Sequence, residues 1–407
     1  MFMRPDSIAK LAVAFAVVSV GASCATSKIV SSNVQHVVKG QPMDTSGLSQ
    51  AVASDTHDME ANLAVLRRKV AEAYAQLRTN VQKRWGQNDA KMAERTVYVK
   101  YTQGYKSRAI TDFDHGTLTV ETLDETDPRG SLKAAIVASL LTTNDPAAVD
   151  LFTDKDVNLN TGRKPYLYSL VHDNQGKSIQ NRQQAEAFAK YLIAQKTQTR
   201  PVSADQGAQT ALFVRINMVK NFETKGADHY RAATEKYAAQ YHVSSSLVLA
   251  IMRTESNFNP FAVSPAPAYG LMQLVPTSAG RAALKRVQGV DDTPTPEYLF
   301  DPEHNIELGT AYLSVLSDTE FRAVENPDSR DYCVIAAYNT GPRNVTRGFS
   351  NNKTEAINEI NQLDPPALFE RLRSNLPYEE TRQYVIKVTG YRKQFVAAAS
   401  SPATAMQ

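Results

Sequence analysis

Apolar residues along this chain change their period twice, and each change predicts a different architecture. From Met59, the residues Leu63, Leu66, Val70, Ala73 and Leu77 recur at three- and four-residue steps, while Arg67, Arg68, Lys69, Glu72 and Arg78 occupy much of the remaining surface. That spacing predicts a helix. Over 96–122 the step falls to two: Val97, Val99 and Tyr101 alternate, as do Leu118 and Val120, with Asp114-His115-Gly116 as a tight turn between strands. Asp127 caps a predicted helix that runs from Pro128 to Leu141. A second predicted helix covers 182–194. Pro201 to Gln209 reads as a loop, followed by a strand over 211–219 with Leu212, Val214, Ile216 and Met218 on one face.

The second change comes at Lys220–Ala227, after which the pattern is helical with Pro and Gly punctuation. Helices are predicted at 228–241, 245–255 (capped by Ser244), 276–286, 302–318, 329–338, 365–374 and 377–395. The expected fold is therefore α+β: a mixed α+β domain over 57–220, then an all-α domain over 221–400.

The first residues follow neither pattern. Arg4 and Lys10 precede the apolar run Leu11–Val20, and the small residues Gly21-Ala22-Ser23 lead to Cys24. A charged start, a short apolar run and a small-residue exit make a secretory signal. The run is shorter than the roughly 20 residues of a membrane-spanning helix, although a retained N-terminal anchor is the alternative. Cys24 resembles the lipidated cysteine of a bacterial lipobox, with Gly21 a departure from the aliphatic residue usual there, so cleavage without lipid stays open. Acylation would anchor the protein at about 0.8 kcal/mol per buried CH₂. Ala25 is not the Asp that commonly retains lipoproteins in the inner membrane, so the expected destination is the periplasmic face of the outer membrane. Residues 25–56, rich in Ser, Val, Gln and Asp, read as a tether.

Composition narrows the partners. A length of 407 residues allows two to three domains. A net charge of +3 gives no reason to expect a nucleic acid or another polyanion. The seven histidines show no ligand spacing, and there is no glycine-rich phosphate loop, so neither metal nor cofactor is expected. The second cysteine, Cys333, lies in the apolar run Tyr332–Ala337 and reads as a buried small hydrophobe. A monomer is expected.

The candidate chemistry begins at Glu255-Ser-Asn-Phe-Asn-Pro260, directly after the apolar run Leu247–Met252. A carboxyl in a partly apolar cleft has its ionised form disfavoured and serves as a general acid near neutrality. By position alone, Glu255 reads more readily as a solvated glutamate at a helix end, the base case for a charged side chain. Further blocks follow in order: Ser264-Pro-Ala-Pro-Ala-Tyr269, Gly270-Leu-Met-Gln-Leu274, Leu299-Phe-Asp-Pro302, Ala336-Ala-Tyr-Asn-Thr-Gly-Pro342 and Leu376-Pro-Tyr-Glu-Glu-Thr-Arg-Gln-Tyr-Val385. Singly they are weak. Tyr338 alone is a core tyrosine, Asn339–Pro342 a helix stop, and Asp301-Pro302 a helix cap, a reading kept as structural.

Together, over about 160 residues, these blocks resemble the catalytic domain of the lytic transglycosylases related to goose-type lysozyme, an all-α lysozyme-like fold. The whole plan, signal plus α+β domain plus this domain, is similar to a membrane-bound member of that family. The resemblance implies that Glu255 is the sole catalytic acid, cleaving the MurNAc-β-1,4-GlcNAc bond of peptidoglycan with a 1,6-anhydro-muramoyl product, in cell-wall turnover. It implies that Ser264 and Gln273 contact the sugar, that Tyr338, Asn339 and Glu380 line the cleft, and that Tyr269 and Met272 offer it apolar surface. No second acid occupies a matching position for the two-carboxylate plan. The loop departs at Pro267, where the family usually has Gly; Pro fixes φ and removes a donor, which leaves the peptide-stem preference open. A hydrolytic lysozyme on the same fold and a non-catalytic wall-binding lipoprotein are the competing readings.

Overall fold

The computed structural model describes residue 68 and residues 72–400, apart from 146–148, 150–152, 160–161, 205–206 and 265–267. The expected signal, Cys24, the tether and most of the first helix lie outside the described residues, as does Pro267. The chain divides at Leu77 into two compact units. Of the first, residues 72–77 are helical. The second, from Arg78 on, carries both folded parts expected from the pattern.

Residues 78–85 are helical and lead into a five-stranded antiparallel sheet. Its strands are β1 (Val97–Thr102), β2 (Ser107–Asp112), β3 (Thr117–Thr122), β4 (Gln198–Ala204) and β5 (Gly207–Asn217), in the order β1-β2-β3-β5-β4. Helix α1 (Pro128–Leu141) packs on β2, β3 and β5, with α2 (Arg182–Gln195) against it. Asp127 caps α1 as expected, its carboxylate accepting from the Gly130 N–H. Alternation sends Leu118, Val120, Val214 and Ile216 to the helix-covered face, where they meet Leu132, Ile136 and Leu140.

The opposite face is charged and also covered. Arg108 and Glu121, a cross-strand pair, are both buried, with Arg108 Nη2 2.6 Å from Glu121 Oε2. Arg200 adds a bond of 2.8 Å to Glu121 Oε1 and another of 2.8 Å to Asp89. Burial pushes the Glu121 carboxyl up, but Arg200 and Arg108 outweigh it and hold the carboxyl below its ordinary value. Trp85, the sole tryptophan, lies under the Arg108 guanidinium at 3.7 Å, its indole N–H donating to the Tyr105 carbonyl.

The span read as a loop over 201–209 is instead the end of β4 and the start of β5, paired from Gln198↔Phe213 to Ala204↔Gly207. Pro201 fits there because β4 is an edge strand, where a missing donor leaves no central ladder bond unmade.

The all-α part begins with α3 (Phe222–Gln240), which starts six residues earlier than the pattern indicated. Gly226 lies inside the helix, where a Cβ would stand 3.2 Å from the Phe258 ring. Next comes α4 (Ser245–Ser256), whose residues Ser246–Met252 are all buried. A helix that is apolar all round is a core helix, and α3 and α10 (Glu379–Ser400) pack against it. Ser244 holds the N-cap position, but its hydroxyl bonds Ser246 Oγ rather than a backbone N–H.

A π-type turn at Pro276–Gly280 precedes α5 (Arg281–Gln288), and another at Leu316–Glu320 ends α6 (Pro302–Val315). Asp301 caps α6, accepting from the Glu303 and His304 N–H groups. The remaining long helices are α7 (Pro327–Thr340), α8 (Lys353–Asn361) and α9 (Pro365–Asn375). The short helices Pro296–Phe300 and Pro342–Arg347, together with α8, were not anticipated. Cys333 is fully buried in α7, and burial pushes its thiol up to about 12, as expected of an inert core cysteine.

The two parts dock through the segment that leaves α4. Asn257, at φ 45°, donates from Nδ2 to the Phe113 carbonyl at 2.7 Å. Asn259 donates to the Arg95 carbonyl at 3.0 Å. Phe261 enters the core of the α+β part, stacked on Tyr98 at 4.3 Å and edge-on to Tyr166 at 5.4 Å.

Candidate active site

The last turn of α4 brings Glu255 to the floor of an open cleft of about 900 Å³. The residue is only 6% exposed. The two sides of the cleft come from Ser264, Ala268 and Gln273, from Tyr338–Pro342 at the end of α7, and from Pro377–Thr381 at the start of α10. Tyr312, Val275, Ser278 and Ala279 extend it, and Arg95 closes the α+β side.

The surroundings of Glu255 are specific. Tyr384 donates to Oε1 at 2.7 Å. Arg95 Nη1 stands 3.8 Å from Oε2 and 3.9 Å from Glu380 Oε1. Burial raises the Glu255 carboxyl to about 7; the Tyr384 bond and the Arg95 charge pull it back, and the Glu380 charge adds to the rise. Near neutral pH the group can therefore give or take a proton with little driving force either way, the condition for general acid–base work. The tyrosine hydroxyls facing it are pushed up by burial and by the Glu255 charge, so both Tyr338 and Tyr384 stay protonated donors.

Helix α4 can end here because Asn257 and Phe258 both take positive φ, at 45° and 65°. That turns the chain sharply and leaves the Glu255 side chain at the rim of the core. Ser256 fastens the turn by donating to the Leu271 carbonyl at 2.7 Å. The 269–274 segment is held in turn by Asn305. Its Oδ1 accepts from Met272 N–H, and its Nδ2 donates to the Tyr269 and Leu299 carbonyls. Gly270, at φ +75°, fits where a Cβ would lie 2.4 Å from the Leu299 oxygen.

Most of the sequence-derived candidates come together in this cleft: Glu255, Ser264, Gln273, Tyr338, Asn339 and Glu380 all line it. Gln273, at φ 49°, donates from Nε2 to the Ala262 and Gly270 carbonyls, and its buried Oε1 has no hydrogen-bond partner. Tyr338 donates to the Met272 carbonyl at 2.9 Å, and Asn339 accepts from Thr381 at 2.7 Å. Two candidates are not among the residues lining the cleft. Tyr269 and Met272 are buried behind the cleft wall, Tyr269 packed edge-on to Phe300 at 5.3 Å and Met272 against Gly309. The backbone bonds to Asn305 turn these two side chains inward, so they support the wall without forming it. Sequence reasoning missed Arg95 and Tyr384. Tyr384 stands in the last quoted block without a role, and Arg95 precedes β1, where no pattern marks it. Among the described residues, no group of three His, Cys, Asp or Glu is placed to hold a metal.

A buried, protonatable carboxyl on a core helix, opening into a wide cleft, is the site of an enzyme with a general acid, and comparison with known proteins gives its class, the lytic transglycosylases, and its family. Residues 56–229 match the N-terminal domain of membrane-bound lytic murein transglycosylase C, and residues 232–361 match the transglycosylase SLT domain. Proteins named membrane-bound lytic murein transglycosylase C from Klebsiella pneumoniae subsp. pneumoniae and Cronobacter sakazakii are each 43% identical over 316 residues, which is 78% of this chain and 86% of each relative. The one from Yersinia pestis is 41% identical over 78% of this chain and 87% of its own length. The chain belongs to this family, the membrane-bound lytic murein transglycosylases C. Among solved structures, the 70 kDa soluble lytic transglycosylase from Escherichia coli aligns at 29% identity over 44% of this chain and 26% of that one, with a TM-score of 0.34.

Proposed function

We propose that this enzyme cleaves the MurNAc-β-1,4-GlcNAc bond of peptidoglycan without adding water, with Glu255 as the single proton carrier. The carboxyl gives its proton to the bridging oxygen as the C1–O bond breaks. The carboxylate then takes the proton of the muramoyl C6 hydroxyl, whose oxygen bonds C1 of the same sugar. The product ends in a 1,6-anhydro ring, and Glu255 regains its starting proton. Intramolecular attack avoids the entropic cost of recruiting a second molecule. The observation that carries this reading is the Glu255 carboxyl, buried at the cleft floor and raised to about 7, so that one group serves as acid and then as base.

In this reading Gln273 Oε1, left without a partner, accepts from the sugar, and Ser264, Tyr338, Asn339 and Glu380 line its path. Residues 1–24 direct export, lipid on Cys24 holds the protein at the periplasmic face of the outer membrane, and 25–56 span the gap to the wall. The relatives are named membrane-bound, which supports association with a membrane. The enzyme acts as a monomer in wall turnover and remodelling, on glycan strands, without metal or cofactor.

One observation favours a second reading. Glu380 faces the same guanidinium as Glu255, so it could activate a water in a hydrolytic, two-carboxylate scheme. Product mass separates the two. Protein lacking residues 1–24, incubated with purified peptidoglycan, should release muropeptides with 1,6-anhydro ends, and Glu255→Gln should release none. Products one water heavier would establish the lysozyme reading. A fully active Glu255→Gln variant would remove the acid assignment.

A further inference from the structure

We propose that Arg95, supplied by the α+β part, is a positioning residue of the reaction: it faces the Glu255 carboxylate in the half of the cycle when that group has given up its proton. The inference rests on Glu255 being the acid. It also gives the α+β part a role in the chemistry, because the cleft is complete only when the two parts are docked.

The two oxygens of Glu255 have different neighbours. Oε1 takes the Tyr384 hydroxyl from α10, and Oε2 faces Arg95 Nη1 at 3.8 Å, longer than a hydrogen bond. The other groups acting on Glu255 are Glu380 on α10, whose charge opposes ionisation, and Tyr338 on α7. Arg95 is therefore the one cation among them. It also spans to Glu380 at 3.9 Å, which keeps a second, 72% exposed carboxylate from adding its full repulsion.

The place of Arg95 is set by the same segment that carries the acid. Asn259, four residues after Glu255 and fully buried, donates to the Arg95 carbonyl at 3.0 Å. Glu94 donates its N–H to the Val97 carbonyl at 2.8 Å, tying the approach to β1. Asn257 grips Phe113 at the end of β2, and Phe261 plugs the core beyond. These contacts use backbone and core atoms, so the guanidinium contributes little to docking and is free to act on the cleft. A contact just outside bonding range suits a group needed in only one half of the cycle. It is weak toward the neutral acid and strong toward the anion, so it favours proton release without consuming the acid form.

An opposite charge within about 4–6 Å lowers a carboxyl by about 1–3 units, and solvent at the half-exposed Arg95 puts the effect near about one unit. Arg95→Gln and Arg95→Met (which keeps the aliphatic stem) test this beside Arg95→Lys, in protein lacking residues 1–24. Solubilisation of peptidoglycan is followed from pH 5 to 9, with near-ultraviolet circular dichroism to report folding. Gln and Met should move the alkaline limb of kcat/KM upward by about one unit. They should lower kcat about tenfold with little change in KM, the tenfold being one unit converted. Lys should restore the limb and most of kcat. A raised KM with an unmoved limb would mean that Arg95 binds a substrate carboxylate instead and would overturn the proposal. So would unchanged kinetics, or a limb moving downward. Wild type that releases nothing, or an active Glu255→Gln, sinks the acid assignment itself; an active wild type with an unmoved limb in Arg95→Gln sinks only this inference.

Discussion

Replacing Glu255 by glutamine should make the protein more stable above neutral pH, even as it stops the reaction. The folded chain holds this carboxyl at about 7 against an ordinary 4.5, because burial disfavours its ionised form. Between those values the native state binds more protons at this site than the unfolded state does. Stability is therefore fully present below about 4.5 and is lost as pH rises through about 7. At about 1.4 kcal/mol per unit, the loss at pH 8 is about 3 kcal/mol. Glutamine carries no charge to desolvate, and its amide oxygen can still accept from Tyr384. Unfolding entropy near 2.1 cal/mol/K per residue, over roughly 320 residues, converts this to a rise in Tm of about 4–5 °C at pH 8. At pH 5 the difference should shrink below about 1 kcal/mol. Thermal scans of wild type and Glu255→Gln at both pH values read it directly. An equal difference at the two pH values, or a less stable variant at pH 8, would refute the burial argument.

Other outcomes follow from the same geometry. Tyr384→Phe removes the 2.7 Å bond to Glu255, and a bond to a charged group is worth about 1.5–3 kcal/mol. The Glu255 carboxyl should rise further, moving the alkaline limb of the pH–rate profile up by about one to two units; an unmoved limb would contradict the bond's role. Gly270→Ala puts a Cβ 2.4 Å from the Leu299 oxygen at a left-handed φ, so denaturant titration should show a loss of at least about 2 kcal/mol, and a neutral result would mean that the wall segment relaxes freely.

Glu255, the proposed acid, could be singled out in the sequence because a long apolar run must end where the helix leaves the core, and it stands at that exit. The cleft residues Gln273, Tyr338 and Asn339 were legible only through ordered blocks. Nothing local marks Gln273, whose left-handed backbone turns it toward the cleft while Met272 turns into the core. Arg95 was invisible because it meets Glu255 across a domain contact, 164 positions before the Asn259 that holds its carbonyl. Tyr384 needed the register of α10 against α4, which no single helix displays. In the sheet, β2 was hard to see because its sequence, SRAITD, buries Arg108 beside Glu121 where an alternating strand would place an apolar residue. Pro201 misled because a breaker and an edge-strand residue look alike until the strand order is known. Short helices such as Pro342–Arg347 carry too few turns to show a period.

The lone indole has a practical consequence. Trp85 is fully buried against the Arg108 guanidinium on the charged face of the sheet, while the tyrosines are distributed over both parts of the fold. Its fluorescence is thus a reporter confined to the α+β part, blind to events within the helices that carry Glu255. Far-ultraviolet dichroism, dominated by those helices, reports the other side. Recorded together during unfolding, the two signals divide the chain optically without any added label. A red shift of the indole that trails or precedes helix loss would show in which order the two parts let go of each other.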